Sequence, residues 1–292
     1  MADTSVRALH GGSKRQRPTT SIMVSRKRLK WARNQALPMV FQPPVRGLVD
    51  GDEFMRGAWH SEVFGNSRPI TLELGCGEGT YAVELARKYP ERNFVGVDIK
   101  GHRFWRGAQT AHDAGLTNVA FLRARVEFLD RCFGPDEVDE LWLTFSDPRP
   151  KDERGTKRIT SPLYFAFYQC FVREGGRAHV KSDSELLFET TRAGLAAEGY
   201  ALPLESRDVH GELVTRCDPE RAELLRVVTP YERRWIREGR AIHYLEVVLP
   251  PRRDPQRIDA SLEALQGSRR SAAVRRELEL EMARNGNQSA SA

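Results

Sequence analysis

The sequence predicts a doubly wound α/β fold, a mostly parallel sheet with helices on both faces. Three observations carry this expectation. Short apolar runs alternate with helix-length segments from Ile70 onward. A glycine turn, Gly75-Cys76-Gly77-Glu78-Gly79, joins the first run to the first helix, and the second and fourth runs lead into carboxylates, Asp98 and Asp147.

Taken in order, Met1 to about Leu37 is rich in Arg, Lys, Ser and Thr without a sustained apolar period, which predicts a mobile segment when unbound. Within it, SRKRLKWARN suits a short basic helix with Trp31 as an anchor. Residues 38–68 read as an irregular lead-in whose Phe54, Trp59 and Phe64 can lie across a core edge. ITLEL is the first strand, TYAVELARKYP a helix closed by Pro90, NFVGVDI the second strand, Gly101 to Gly115 a helix and NVAFLR the third strand. A helix around Val126 to Phe133 leads to VDELWLTF, apolar enough for a buried parallel strand. A helix from Ser161 to Val172, the strand RAHVKSD and a helix from Glu185 to Glu198 follow. AIHYLEVVL, after a polar excursion, is the last clear strand and is expected at the sheet edge. The division is a basic arm at 1–46, one domain at 47–250 and a helical, polar extension at 251–292.

With 292 residues, 40% hydrophobic and 29% charged, the chain suits one sizeable domain with extensions. No apolar run has the length of a membrane span and the N-terminus lacks the apolar core of a leader, so a soluble cytoplasmic protein is expected. Cys76, Cys132, Cys170 and Cys217 form no CxxC pair, and the seven histidines form no HxH or HxxxH pair, so neither a disulfide framework nor a metal is expected. Residues 1–46 carry ten Lys or Arg against the single Asp3, and residues 251–292 eight Arg against six acids, leaving a mildly acidic body. A basic arm on such a body suits an electrostatic tether for nucleic acid, or a solubilising tail.

TFSDPRPKDERGTKR, from Thr144 to Arg158, follows the fourth strand. Asp147 would emerge at that strand's carboxyl end, where open α/β sheets hold ligands. Pro148 and Pro150 fix φ on either side of Arg149 and bias the residues before them toward extended conformations. The cations Lys151, Arg154, Lys157 and Arg158 either meet a polyanion or decorate a solvated loop. In the glycine turn the spacing is GxGxG, with Thr80 where a dinucleotide fingerprint has its last glycine. Asp98, 23 residues after Gly75, suits a carboxylate accepting ribose hydroxyls.

The E/DxGxGxG pattern resembles the first motif of S-adenosylmethionine-dependent methyltransferases. TFSDPRPKDERGTKRITSP resembles the FPDPWxKxRHxKRR segment of the tRNA (guanine-N7-)-methyltransferases, VKSDSE their later TD or SD segment, and TPYERRW, from Thr229, their TxxE motif. The stretches VFGNSRPITLELGCGEGTYAVELARKYPERNFVGVDIKGHRFWRGAQTA and NVAFLRARVEFL are similar to the branch found in Bacteroidetes-like bacteria. The likeness spans roughly residues 58–249. It implies a seven-stranded class I methyltransferase fold, S-adenosylmethionine as cofactor, tRNA as partner with guanine 46 of the variable loop as acceptor, no membrane or metal, and a monomer or homodimer. It places Glu73, Gly75, Gly77, Asp98 and Asp147 on the cofactor side, with Asp147 also in the catalytic role. Lys151, Arg154, Lys157, Arg158, Asp183, Thr229 and Glu232 fall on substrate positions. The chain departs from the family at Ser146 and Arg149, for Pro and Trp, and at Ala124-Arg125, where many members carry an adenine contact.

Bland readings stand beside these. Asp183 also suits a helix cap, Glu232 a surface charge paired with a neighbouring Arg, Trp105, Trp142 and Trp235 packing, and His179 a structural role. The chemistry needs no strong base, because neutral guanine carries a lone pair at N7. Asp147 would act by orientation and electrostatics. The alternatives are N-methylation of a small heteroaromatic molecule, and an RNA-binding homologue without catalysis.

Overall fold

The computed structural model describes residues 26–152 and 155–251, with residues 264, 265, 267, 274, 275 and 279. Helix α1 (Arg26–Asn34) leads to β1 (Val40–Phe41), α2 (Val45–Asp50) and a π-helical turn at Trp59–Phe64. β2 (Ile70–Leu74), α3 (Thr80–Lys88), β3 (Asn93–Asp98), α4 (Gly101–Asp113) and β4 (Val119–Arg123) follow. Every residue of these three strands is buried, as parallel strands covered on both faces require. The segment expected as a helix near Val126 is a 3-10 stretch, Val126–Arg131.

The second half holds β5 (Val138–Thr144), α5 (Pro162–Tyr168), β6 (Val172–Ser182), α6 (Glu185–Ala197) and β7 (Ala201–Ser206). Then come α7 (Val214–Arg216), α8 (Pro219–Leu225), α9 (Pro230–Arg237) and β8 (His243–Val248). Among the described residues the sheet has eight strands in the order β1-β4-β3-β2-β5-β6-β8-β7. β8 runs antiparallel to both neighbours and the other pairs are parallel. The count exceeds the expected seven by one, and the two edges differ from the expected layout. β1 is a two-residue edge, and β7 takes the opposite edge, so β8 lies one strand inside. β7 alternates solvent-facing and half-buried residues and contains Pro203, which an edge strand tolerates because one side of its backbone needs no partner.

Alternate residues of the strands feed two cores. Ile70, Leu72, Val95 and Val97 meet Phe128, Phe133 and Phe165 on one face, while Phe94, Phe121 and Trp142 meet Tyr81 and Phe104 on the other. Trp59 joins the first core, stacked on Phe133 at 4.8 Å, with its indole N–H donating to the Cys132 carbonyl at 2.7 Å. Within the arm, α1 packs on α4. Lys30 and Arg33 lie over the Trp105 ring at 5.3 and 5.7 Å, and buried Asn34 donates to the Gly101 carbonyl at 2.7 Å. In the C-terminal extension, Leu265 and Val274 are buried against the first core. No described helix is long and apolar enough to cross a membrane.

Candidate functional site

The strand order reverses at β2, which pairs with β3 on one side and β5 on the other. Crevices form at such reversals, beyond the carboxyl ends of the strands. On the β2 side, the amides of Gly75 and Cys76 donate to the Val97 carbonyl at 2.8 and 2.9 Å. Gly79 has φ +73°, and a Cβ there would lie 2.4 Å from the Phe121 ring, so only glycine lets the turn close onto β4. Asp98, buried at the end of β3, accepts from the Gly77 amide at 3.0 Å and the Lys100 amide at 2.7 Å. Each oxygen keeps a second lone pair, so the carboxylate is fixed yet able to accept from a ligand.

Glu73 has a different environment. Its carboxyl receives the Thr144 hydroxyl at 2.9 Å and the Ala82 amide at 3.1 Å, tying β2 to β5 and α3. Burial pushes it up to about 8, against the opposing effect of those two donors.

On the β5 side, the Phe145 amide donates to the Lys181 carbonyl at 2.8 Å, and the chain then turns outward. Asp147 is exposed and accepts from the Arg149 amide at 3.0 Å. Arg149 has φ +43°, so the extended turn expected from its flanking prolines is corrected. The Asp147 bond and Arg158 together draw the loop tight. The Arg158 guanidinium donates to the carbonyls of Pro148 at 2.8 Å, Asp152 at 3.2 Å and Arg149 at 3.4 Å. Only 7% exposed, Arg158 holds the loop from inside, whereas Lys151 and Lys157 face outward. Arg154 lies outside the described residues.

These two loops flank a cleft of about 1070 Å³. Gly75, Asp98 and Ile99 line one end, Ala124 to Glu127 a wall, and Asp147, Arg149 and Lys157 the opposite lip. Arg125, noted from sequence as a departure at the family's adenine contact, lines it, as do Lys100, Arg103, Tyr164 and Leu265, which were not singled out from sequence. Glu73, Gly77, Lys151, Asp183, Thr229 and Glu232 are not among the lining residues.

The last three of these gather beside β6. Ser184, one residue after Asp183, caps α6 by accepting from the Leu187 amide at 3.3 Å, while Asp183 pairs with Arg240 at 3.4 Å. Thr229 caps α9 in a capping box with Glu232. Glu232 is 0% exposed and pairs with buried Lys181 at 2.5 Å and with His210 at 2.8 Å, which corrects its reading as a surface charge. Burial opposes its charge, but Lys181 and His210 outweigh burial and hold its carboxyl below the ordinary value. Burial lowers the Lys181 ammonium, with Glu232 countering it. The available signal for Lys181 was a lysine within the apolar strand AHVKS, which requires a buried partner. Trp142 is core, and His179 is structural, sharing a 2.6 Å hydrogen bond with the Tyr244 hydroxyl.

A family model described as "Putative methyltransferase" matches residues 67–245. A tRNA (guanine-N(7)-)-methyltransferase of Bacteroides fragilis is 39% identical over 235 residues, covering 80% of this chain and 90% of the relative. The chain belongs to the tRNA (guanine-N(7)-)-methyltransferase family. Another member, from Porphyromonas gingivalis, is 40% identical over 213 residues, or 72% of this chain and 84% of the relative. Among solved structures, the 16S rRNA methyltransferase KamB aligns with a TM-score of 0.50 at 20% identity, over 68% of this chain and 96% of that one, a likeness of fold. The family match therefore spans both loops of the cleft and the whole of α9.

Proposed function

We propose that the chain transfers a methyl group from S-adenosylmethionine to N7 of a guanine in tRNA, at position 46 of the variable loop. The observation that carries this reading is that Asp98 and Asp147 line one cleft from opposite sides of the strand-order reversal. The residues present fit the cofactor. Gly75 has φ +76° and no atom within 4 Å of a would-be Cβ, and Asp98 has lone pairs free for ribose hydroxyls. S-adenosylmethionine, when bound, supplies an electrophilic methyl group on a sulfonium.

Asp147 orients the guanine edge and stabilises the positive charge that develops on the purine during attack by the N7 lone pair. No proton has to be removed first. Arg149 replaces an aromatic residue with a guanidinium plane at the lip, a surface on which a base can stack. Lys157, with Lys151 and Arg154 of the same loop, meets phosphates.

The test uses labelled S-adenosylmethionine, unmodified tRNA and reductive chain cleavage at 7-methylguanosine. Asp147→Ala should lower kcat by about 10²–10³ in protein whose melting temperature is unchanged. No label in tRNA from wild-type protein that binds cofactor would point to a small heteroaromatic acceptor.

A further inference from the structure

We propose that the outward face of α9 is an RNA-contact surface beside the acceptor site, with Thr229, Glu232 and Lys181 acting as positioning residues that seat it. This rests on tRNA being the substrate. Of the eight residues of α9 only Glu232 is buried. Half-buried Trp235 packs it against the second core, and the capping box and the Lys181 ion pair fix its start. Lys181 lies on β6 opposite Thr144, and its carbonyl holds the Phe145 amide. The seat of α9 is therefore fastened to the strand end from which Asp147 emerges. Glu232, fully enclosed and already paired, is not free to touch a base.

What α9 shows to solvent matches a polyanion with bases. Tyr231 is 60% exposed and Ile236 38%. Arg233, Arg234 and Arg237 point outward, and the guanidinium groups of Arg234 and Arg240 lie 5.1 and 4.2 Å from the Trp235 ring centroid. Glu238 pairs with Arg234 at 2.8 Å and Arg240 at 3.4 Å, and Asp183 with Arg240 at 3.4 Å. Arg233 and Arg237 have no carboxylate partner among the described residues. Arginines beside the exposed Tyr231 ring suit phosphates and an unstacked base. A protein partner would favour a larger apolar patch than Tyr231 and Ile236 provide.

The experiment measures binding of unmodified tRNA transcript to the full chain across salt concentrations, with cofactor affinity, melting temperature and sedimentation beside it. The double variant Arg233→Ala, Arg237→Ala should bind about tenfold more weakly and flatten the salt slope by about two. Tyr231→Ala should lose about tenfold with the slope unchanged. All these side chains are exposed, so cofactor affinity and melting should stay at wild-type values. Wild-type binding and slope in both variants would overturn the inference, as would a change confined to self-association. If the wild-type protein itself fails to bind tRNA, the underlying reading of the substrate falls, an outcome visible without any variant.

Discussion

Arg158 and Glu73 show how burial changes what a motif residue does. The sequence aligns Arg158 with an RNA-contacting run, yet three backbone carbonyls claim its guanidinium and close the Asp147 loop from within. A linear motif displays charge but not the side chain's direction. Glu73 makes the same point by titration. Folded, its carboxyl loses a proton near 8, whereas in an unfolded chain it does so near 4.5. The folded state therefore holds a proton that the unfolded state has released, and stability falls as pH rises through that window. Glu73→Gln stays uncharged throughout, so its melting temperature should gain on wild type between about pH 5.5 and about pH 8.5. An unchanged difference across that range would mean Glu73 is already ionised at the lower pH.

Among the elements, α9 carries one buried ion pair, between Glu232 and Lys181, beside the half-buried Trp235. Removing one partner of a buried ion pair leaves the other uncompensated, so Glu232→Ala should cost about 3–5 kcal/mol in chemical denaturation. Lys181→Met with Glu232→Leu should recover most of that loss, and a cost below about 1 kcal/mol for Glu232→Ala would show that the pair does not hold the helix. Thr229 and Glu232 stand out in the sequence as a TxxE motif, and their spacing is also that of a capping box. What the spacing does not reveal is the distant partner, since Lys181 reaches Glu232 only once β6 and α9 have packed.

For the whole molecule, the parallel core is legible because β2 to β5 are short apolar runs separated by helices with clear ends. β7 is not, because only one of its faces meets the protein and its apolar residues are interrupted by Pro203. The cleft's acidic ends are legible from Asp98 and Asp147, whereas Leu265 is invisible, being brought back from far along the chain. The arm also divides. Helix α1 is part of the body through Asn34, so a clean test of the proposed tRNA tether removes residues 1–25 alone. That deletion should weaken tRNA binding and flatten its salt dependence without moving the melting temperature, and unchanged affinity at every salt concentration would refute the tether.

The position of β8 between β6 and β7 bears on how the protein is made. During synthesis β7 leaves the ribosome before the strand it must pair with, and β6 waits with an open edge for the same partner. An unpaired edge is a template for association with other chains. A chain released before His243 would carry every residue of the glycine turn and the Asp147 loop, yet expose two strand edges that nothing in it can close. β8, the last strand among the described residues, thus works as a keystone inserted between two waiting edges, and termination before it should yield aggregate in place of a smaller enzyme.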